Sequence, residues 1–466
     1  MLSRSTYIRR REAILEADRP SSGLLMLLGN ESSAMNYRAN PYPFRQDSTF
    51  LYYFGLDRPA VDGLIDLDSG EARLYGDDPD LEDVIWMGER APLRERAARA
   101  GVETTAPRSA LSADLATAIE AGRPIHFLPP YRDRQARRLE QLTGIIADRT
   151  ADYASIPLIQ TVVQHRSVKS TEEIDQIETA VETTARLHRA AMQRAAPGRT
   201  EREVAGALSG IAESHGRGLS FRPTCSIRGE ILHNHDYSRT MADGDLLLVD
   251  AGATSPEHYA GDVTRVVPVG GRFTTRQRVL YEAVLAAQTA AIEAVAPGVP
   301  FREVHLEACR VLTEHLMELG LMTGSVEAAV EAGAHALFFP HGLGHMMGLD
   351  VHDMENLGEE RVGYADDQTR SEQFGLHTLR LARPLRTGFV VTVEPGCYFI
   401  PTLIERWQTE GRHDAFIDYE AVARYEGVGG IRIEDDVLVT NEGGQILGPD
   451  LPKRPDAVED RVGSDS

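Results

Sequence analysis

His341-Gly342-Leu343-Gly344-His345-Met346-Met347-Gly348-Leu349-Asp350-Val351-His352-Asp353 carries three histidines at spacings of four and then seven. Imidazole serves as both metal ligand and proton carrier near neutral pH. Gly342, Gly344 and Gly348 let other chain segments come close and argue against a long helix here. One such histidine alone reads most simply as a satisfied core or surface residue. Three in one glycine-punctuated run call for partners, and the C-terminal half of the chain holds them.

Four carboxylates stand where short apolar runs end or alternate. Asp250 closes Leu246-Leu247-Leu248-Val249, a buried strand entered from the Asp243-Gly244 turn. Asp262 follows twelve residues later, across a hairpin-like turn at Thr254-Ser255-Pro256-Glu257, so the two aspartates can face each other. Glu394 closes Phe389-Val390-Val391-Thr392-Val393. Glu434 lies in Ile431-Arg432-Ile433-Glu434, where period two puts Arg432 and Glu434 on one face. Singly, each reads as a turn or cap carboxylate. With His345 they make an oxygen-dominated set carrying one imidazole, a set that favours Mn²⁺ and similar divalent ions over a thiolate zinc site. Two carboxylates shared between ions would allow a dinuclear centre. Other catalytic templates are missing: the sequence has no HExxH, no GxSxG and no Walker loop.

The remainder of the chain bounds this reading. Its 466 residues predict two or three domains. Asp and Glu outnumber Lys and Arg by 71 to 49, giving a formal charge of −22, which argues against a nucleic-acid partner. Cys225, Cys309 and Cys397 form no CxxC pair, as expected of a reducing compartment. The N-terminal residues lack the apolar core of a signal peptide, and Leu24–Leu28 is too short to span a bilayer. A cytoplasmic protein without membrane contact is expected.

In chain order, residues 6–17 read as a charged helix and 23–29 as a strand. Phe50–Phe54 reads as an aromatic strand or core segment. Alternating short elements continue to about Pro157, making a separate α/β domain without a clustered ligand set. A boundary is expected near residues 164–170, where Ser170-Thr171-Glu172-Glu173 matches a capping box. Amphipathic helices follow from Thr171, after Thr200, and over residues 275–295 and 304–319. The tail from Lys453 reads as polar and loose.

The ordered segments Ile231-Leu232-His233, Leu248–Gly252, Gly261–Arg265, His341–His345, Asp350–Asp353, Val393–Gly396 and Gly430–Asp436 resemble the aminopeptidase P and prolidase family of pita-bread metallopeptidases. The N-terminal half resembles the same branch through residues 42–48 and 50–55. The resemblance implies an α/β (α+β) chain: an N-terminal domain over residues 1–165, a pita-bread catalytic domain over 166–452, and the tail 453–466. It implies that Asp250, Asp262, His345, Glu394 and Glu434 hold two divalent ions, Mn²⁺ first with Co²⁺ or Zn²⁺ as substitutes, and that Asp262 and Glu434 bridge them. His233, His352 and Glu394 become the catalytic side chains, and His341, Arg380, Arg432 and Tyr398 the substrate-binding ones. Arg432 would keep Glu434 ionised, or form an ordinary structural ion pair. A homo-oligomer, dimer or tetramer, is expected. Two departures stand out: the Asp250–Asp262 loop is one residue longer than the family usually shows, and residues 355–379 read as an insertion resembling that of the longer prolidases, expected at the substrate rim.

The implied reaction is hydrolysis of the peptide bond before proline, by a water acidified between two cations. The complete ligand set argues against a non-catalytic scaffold and against a metal-free, creatinase-like hydrolase. The large N-terminal half argues against methionine aminopeptidase. Xaa-Pro aminopeptidase is the expected activity. The alternative is Xaa-Pro dipeptidase (prolidase), in which Arg380 would grip a dipeptide's terminal carboxylate.

Overall fold

The computed structural model describes residues 2–17 and 20–463. The chain divides into two compact units near residue 166, and residues 355–358 group with the first.

The first unit is built on five strands: β1 (Leu24–Leu28), β2 (Asp62–Asp66), β3 (Ala72–Tyr75), β4 (Thr104–Ala106) and β5 (Ile125–His126), in the order β4-β3-β2-β1-β5. Leu24, Met26, Leu64 and Tyr75 on one sheet face bury against Leu111 and Leu115 of the Ala110–Glu120 helix and Leu139 and Leu142 of the Asp133–Thr143 helix. Residues i and i+2 of a strand share a face, so one sheet side becomes core. The run Phe50–Phe54 is core, as expected, but it forms the helix Ser48–Phe54 rather than a strand. Local chemistry decides this. The Asp47 side chain accepts from the Phe50 amide at 2.8 Å. Gly55 closes the helix at φ 65°, the left-handed conformation that glycine adopts without penalty.

The second unit pairs long helices with short antiparallel sheets. The helices Thr171–Arg194, Glu201–His215 and Thr275–Ala294 begin at capping boxes. In the first, the Ser170 amide donates to Glu173 Oε2 at 3.0 Å. The strands are β6 (Thr224–Ser226), β7 (Leu246–Ala251), β8 (Val263–Pro268), β9 (Val390–Val393), β10 (Gly396–Tyr398), β11 (Gly430–Arg432), β12 (Asp435–Thr440) and β13 (Gly443–Ile446). They form the sheets β6-β7-β8, β13-β12-β9 and β10-β11. The segment expected as one alternating strand at residues 431–434 is therefore split: Ile433 and Glu434 form the joint between β11 and β12.

The tail is not loose. Pro455–Glu459 is helical, with Pro455, Val458 and Glu459 buried. Lys453 Nζ donates to Asp435 Oδ2 at 2.7 Å, and the Glu459 carboxylate accepts from the Phe273 amide at 3.0 Å. A polar composition concealed a few anchoring charges with buried partners. Residues 464–466 of the expected tail lie outside the described residues. Among the described residues, no helix is long and apolar enough to cross a membrane.

Candidate metal centre

Strand register alone brings the carboxylates together. Along the β7–β8 ladder Asp250 sits opposite Thr264 and Ala251 opposite Val263, so Asp262 falls one step beyond the paired region. Between them the chain turns through a Thr254–Ala260 bridge, with His258 at φ 72°. In β9–β12, Val393 pairs with Asp435, and the next step outward sets Glu394 beside Glu434.

The histidine stretch lies alongside β9. Met346 bridges Val391, the Thr392 amide donates to the His345 carbonyl at 3.0 Å, and the Glu394 amide donates to the Leu343 carbonyl at 2.8 Å. A Cβ on Gly344 would lie 2.0 Å from the Thr392 carbonyl oxygen, so only glycine permits this approach. His345 Nδ1 lies 3.2 Å from the Met346 carbonyl. Donating there fixes the tautomer and leaves Nε2 facing Asp262 Oδ2 at 3.6 Å and Glu394 Oε1 at 3.7 Å.

A cavity of about 410 Å³ collects His233, Asp250, Asp262, His341, His345, His352, Arg380, Glu394, Arg432 and Glu434. Tyr398, expected to touch substrate, is not among its lining residues and is fully buried. Its hydroxyl is committed to His341 Nε2 and Arg432 Nη1, each at 2.9 Å. Arg432 forms a buried structural ion pair with Asp250 at 2.6 Å, and its charge also favours the ionised form of Glu434. It donates to the Thr264 hydroxyl, which in turn donates to Glu434 Oε2 at 2.6 Å. The break after β11 turns Glu434 toward β8. Within residues 355–379, the stretch expected at the substrate rim, Thr378 lines the cavity.

Electrostatics mark the cluster as a cation site. Burial pushes the Asp262 and Glu434 carboxyls well above the ordinary range; Asp250, Asp436 and Glu394 push Asp262 further the same way, and Asp262, Glu394 and Asp250 push Glu434. Glu394 is also raised, by burial first. Two like charges 4 Å apart cost about 4 kcal/mol at an effective dielectric near 20. The one buried guanidinium, Arg432, cannot offset that for four carboxylates, and Arg380 stands at the wet rim; protons or divalent cations must. The donor set fits the second option. Asp262, His345 and Glu434 offer ligand atoms within 4.8 Å of one another, and Asp262 Oδ1 is buried without a hydrogen-bond partner. Nearby, burial and then Arg432 push His341 down to about 3, so its ring is neutral. His233 is lowered by the same two causes.

Several contributors escaped the sequence reading: Phe221, Arg222, His235 and Val351 of the cavity lining, and the two threonines Thr264 and Thr392. The threonines did carry a signal. Each lies two residues along a strand from a site carboxylate, hence on the same face.

Residues 175–441 match the model of metallopeptidase family M24, and residues 7–126 match the aminopeptidase P N-terminal domain. The chain belongs to metallopeptidase family M24, on its aminopeptidase P and prolidase branch. Its second unit therefore has the pita-bread fold of that family. The chain is 32% identical to the Xaa-Pro aminopeptidase of Escherichia coli (strain K12), over 98% of this chain and 97% of that one. It is 31% identical to the human Xaa-Pro dipeptidase, over 92% and 86%. Among solved structures, aminopeptidase PepP of Pseudomonas aeruginosa superposes with a TM-score of 0.82 at 29% identity, covering 99% of this chain and 98% of the other. A zinc-substituted E. coli aminopeptidase P in complex with product gives 0.81 at 29%, with the same coverage.

Proposed function

We propose that this M24 hydrolase is a metal-dependent Xaa-Pro aminopeptidase, releasing the N-terminal residue from peptides with proline in second position. The observation that carries the reading is the gathering of four carboxylates and the His345 imidazole in one cavity, in a chain that matches the E. coli Xaa-Pro aminopeptidase end to end. In this reading Asp250, Asp262, His345, Glu394 and Glu434 would hold two divalent ions, Mn²⁺ by preference. When bound, the ions supply an acidified water and polarise the scissile carbonyl.

The chain's own residues do the rest. Glu394 carries the proton from the attacking water to the leaving imide nitrogen. His352, whose ring centre lies 4.2 Å from that of His345, and His233 donate to the carbonyl oxygen as it gains charge. His341 has both nitrogens engaged, Nδ1 at 2.8 Å from the Gly342 carbonyl and Nε2 on Tyr398, so it offers substrate a ring surface. Tyr398 acts behind it as a positioning residue.

Arg380 favours the aminopeptidase over the dipeptidase. It lines the cavity about one-third exposed and lies 3.6 Å from Glu359, which also binds Arg370. A guanidinium already facing a carboxylate at a wet rim is a weak clamp for a second one. The dipeptidase remains the second reading because Arg380 does face the cavity. Three buried free cysteines support a reducing, cytoplasmic setting. The test is metal removal: chelated protein should lose Xaa-Pro cleavage and regain it with Mn²⁺ or Co²⁺. Full activity in protein shown metal-free by elemental analysis overturns the proposal.

A further inference from the structure

The helix Phe301–Glu318 turns His305 and Cys309, one turn apart, to the same buried face, with His305 Nε2 and Cys309 Sγ 3.4 Å apart. Opposite them the short turn Ala334–Leu337 delivers His335. One ligand-type atom from each of the three residues lies within 4.8 Å of the other two, and all three residues are fully buried. None of the side chains placed in the reaction belongs to this group.

Its polar atoms are poorly satisfied. Both ring nitrogens of His335 and Nδ1 of His305 are buried with no hydrogen-bond partner, and so is Thr313 Oγ1, one turn past Cys309 on the same helix. Buried polar groups are satisfied in the great majority of cases, and each one left alone costs about 1–3 kcal/mol. Buried imidazole nitrogens left without partners beside a thiol are expensive as plain core. One nitrogen from each ring, with the thiol, is what a metal ion would use.

We propose that His305, Cys309 and His335 form a metal site of their own, for a soft or borderline ion such as Zn²⁺ or Cu⁺, distinct from the carboxylate cluster. Two imidazoles and a thiolate select such ions, whereas carboxylate oxygens suit Mn²⁺. Binding displaces one proton, from the Cys309 thiol, and forms the metal–sulfur bond. Burial keeps that thiol protonated when no ion is present and keeps both imidazoles neutral. The ion would tie the Ala334–Leu337 turn to the helix. Phe339 follows that turn and packs its ring 5.3 Å from His305 and 4.8 Å from His341. The site would thus brace the wall of the catalytic cavity from behind.

Full-length protein produced in Co²⁺-supplemented medium tests this. Cobalt bound to oxygen and imidazole alone gives no thiolate charge-transfer band, so the near-ultraviolet band reports Cys309. The wild type should show the band, and Cys309→Ser should lose it together with one metal equivalent per chain. Asp262→Asn should keep the band, which separates this site from the catalytic one. No band in the wild type, or a band surviving Cys309→Ser, overturns the proposal. Should Cys309→Ser not fold, X-ray absorption at the zinc edge of wild-type protein decides: a sulfur neighbour supports the site, and only nitrogen and oxygen neighbours refute it.

Discussion

Arg432 Nη2 and Asp250 Oδ2 meet at 2.6 Å, and the same guanidinium donates to the Tyr398 hydroxyl at 2.9 Å and to Thr264 Oγ1 at 3.1 Å. One buried fork thus aligns a carboxylate, a phenol that sets His341, and a threonine that sets Glu434. Planar, multidentate donation is what arginine offers and lysine does not.

Arg432→Lys should therefore fold yet lose about 10- to 100-fold in metal affinity or kcat/KM, the usual cost of disturbing groups behind a metal ligand. Arg432→Met should destabilise the metal-free protein by about 3–5 kcal/mol, since it strips a buried carboxylate of its partner. The metal-loaded protein should lose less. Equal losses in both forms, read from melting temperatures, would contradict this balance of charge.

The raised carboxyls predict a pH effect. Asp262 and Glu434 hold protons more tightly in the folded metal-free chain than in the unfolded one. Their contribution is fully present below the unfolded value near pH 4 and is lost as pH rises through the higher folded value. Metal displaces those protons. The gap in Tm between loaded and metal-free protein should widen from about pH 5 to about pH 8, and a constant gap refutes the assignment.

Thr264→Val removes the 2.6 Å donor to Glu434 while keeping the side-chain shape. The expected outcome is kcat lowered roughly tenfold with KM little changed, because the group orients a metal ligand and does not touch substrate. Steady-state kinetics on an Xaa-Pro-Xaa peptide checks the split.

Lys169 and Asp353 form a buried pair at 3.0 Å, and Asp353 also accepts from the Asp350 amide at 3.2 Å, anchoring the loop that carries His352. Asp353→Asn should cost about 3–5 kcal/mol in denaturant unfolding, and Lys169→Met with Asp353→Leu together less than the sum of the two single changes.

Legibility in the sequence followed the range of the interactions. Asp250 and Glu394 could be found because each ends an apolar run, and Glu434 because strict alternation marks a face. The cap at Ser170 was readable because its partner lies three residues away. Phe50–Phe54 misled as a possible strand because aromatics favour sheets, while the deciding groups, Asp47 and Gly55, lie just outside the run. Tyr398 lies buried behind the cavity wall, a placement that leaves no mark on a sequence. The break between β11 and β12 interrupts an alternation that reads as one strand, and His335 joins His305 and Cys309 only through tertiary packing.

Substrate length tests the central claim most directly. Mn²⁺-loaded protein should be given Xaa-Pro dipeptides and Xaa-Pro-Xaa tripeptides side by side, with products identified and kcat/KM measured for each. Tripeptides should be cut at least as efficiently as dipeptides, always releasing one N-terminal residue, and Arg380→Ala should harm dipeptides more. Cleavage confined to dipeptides would contradict the aminopeptidase and make the chain a prolidase.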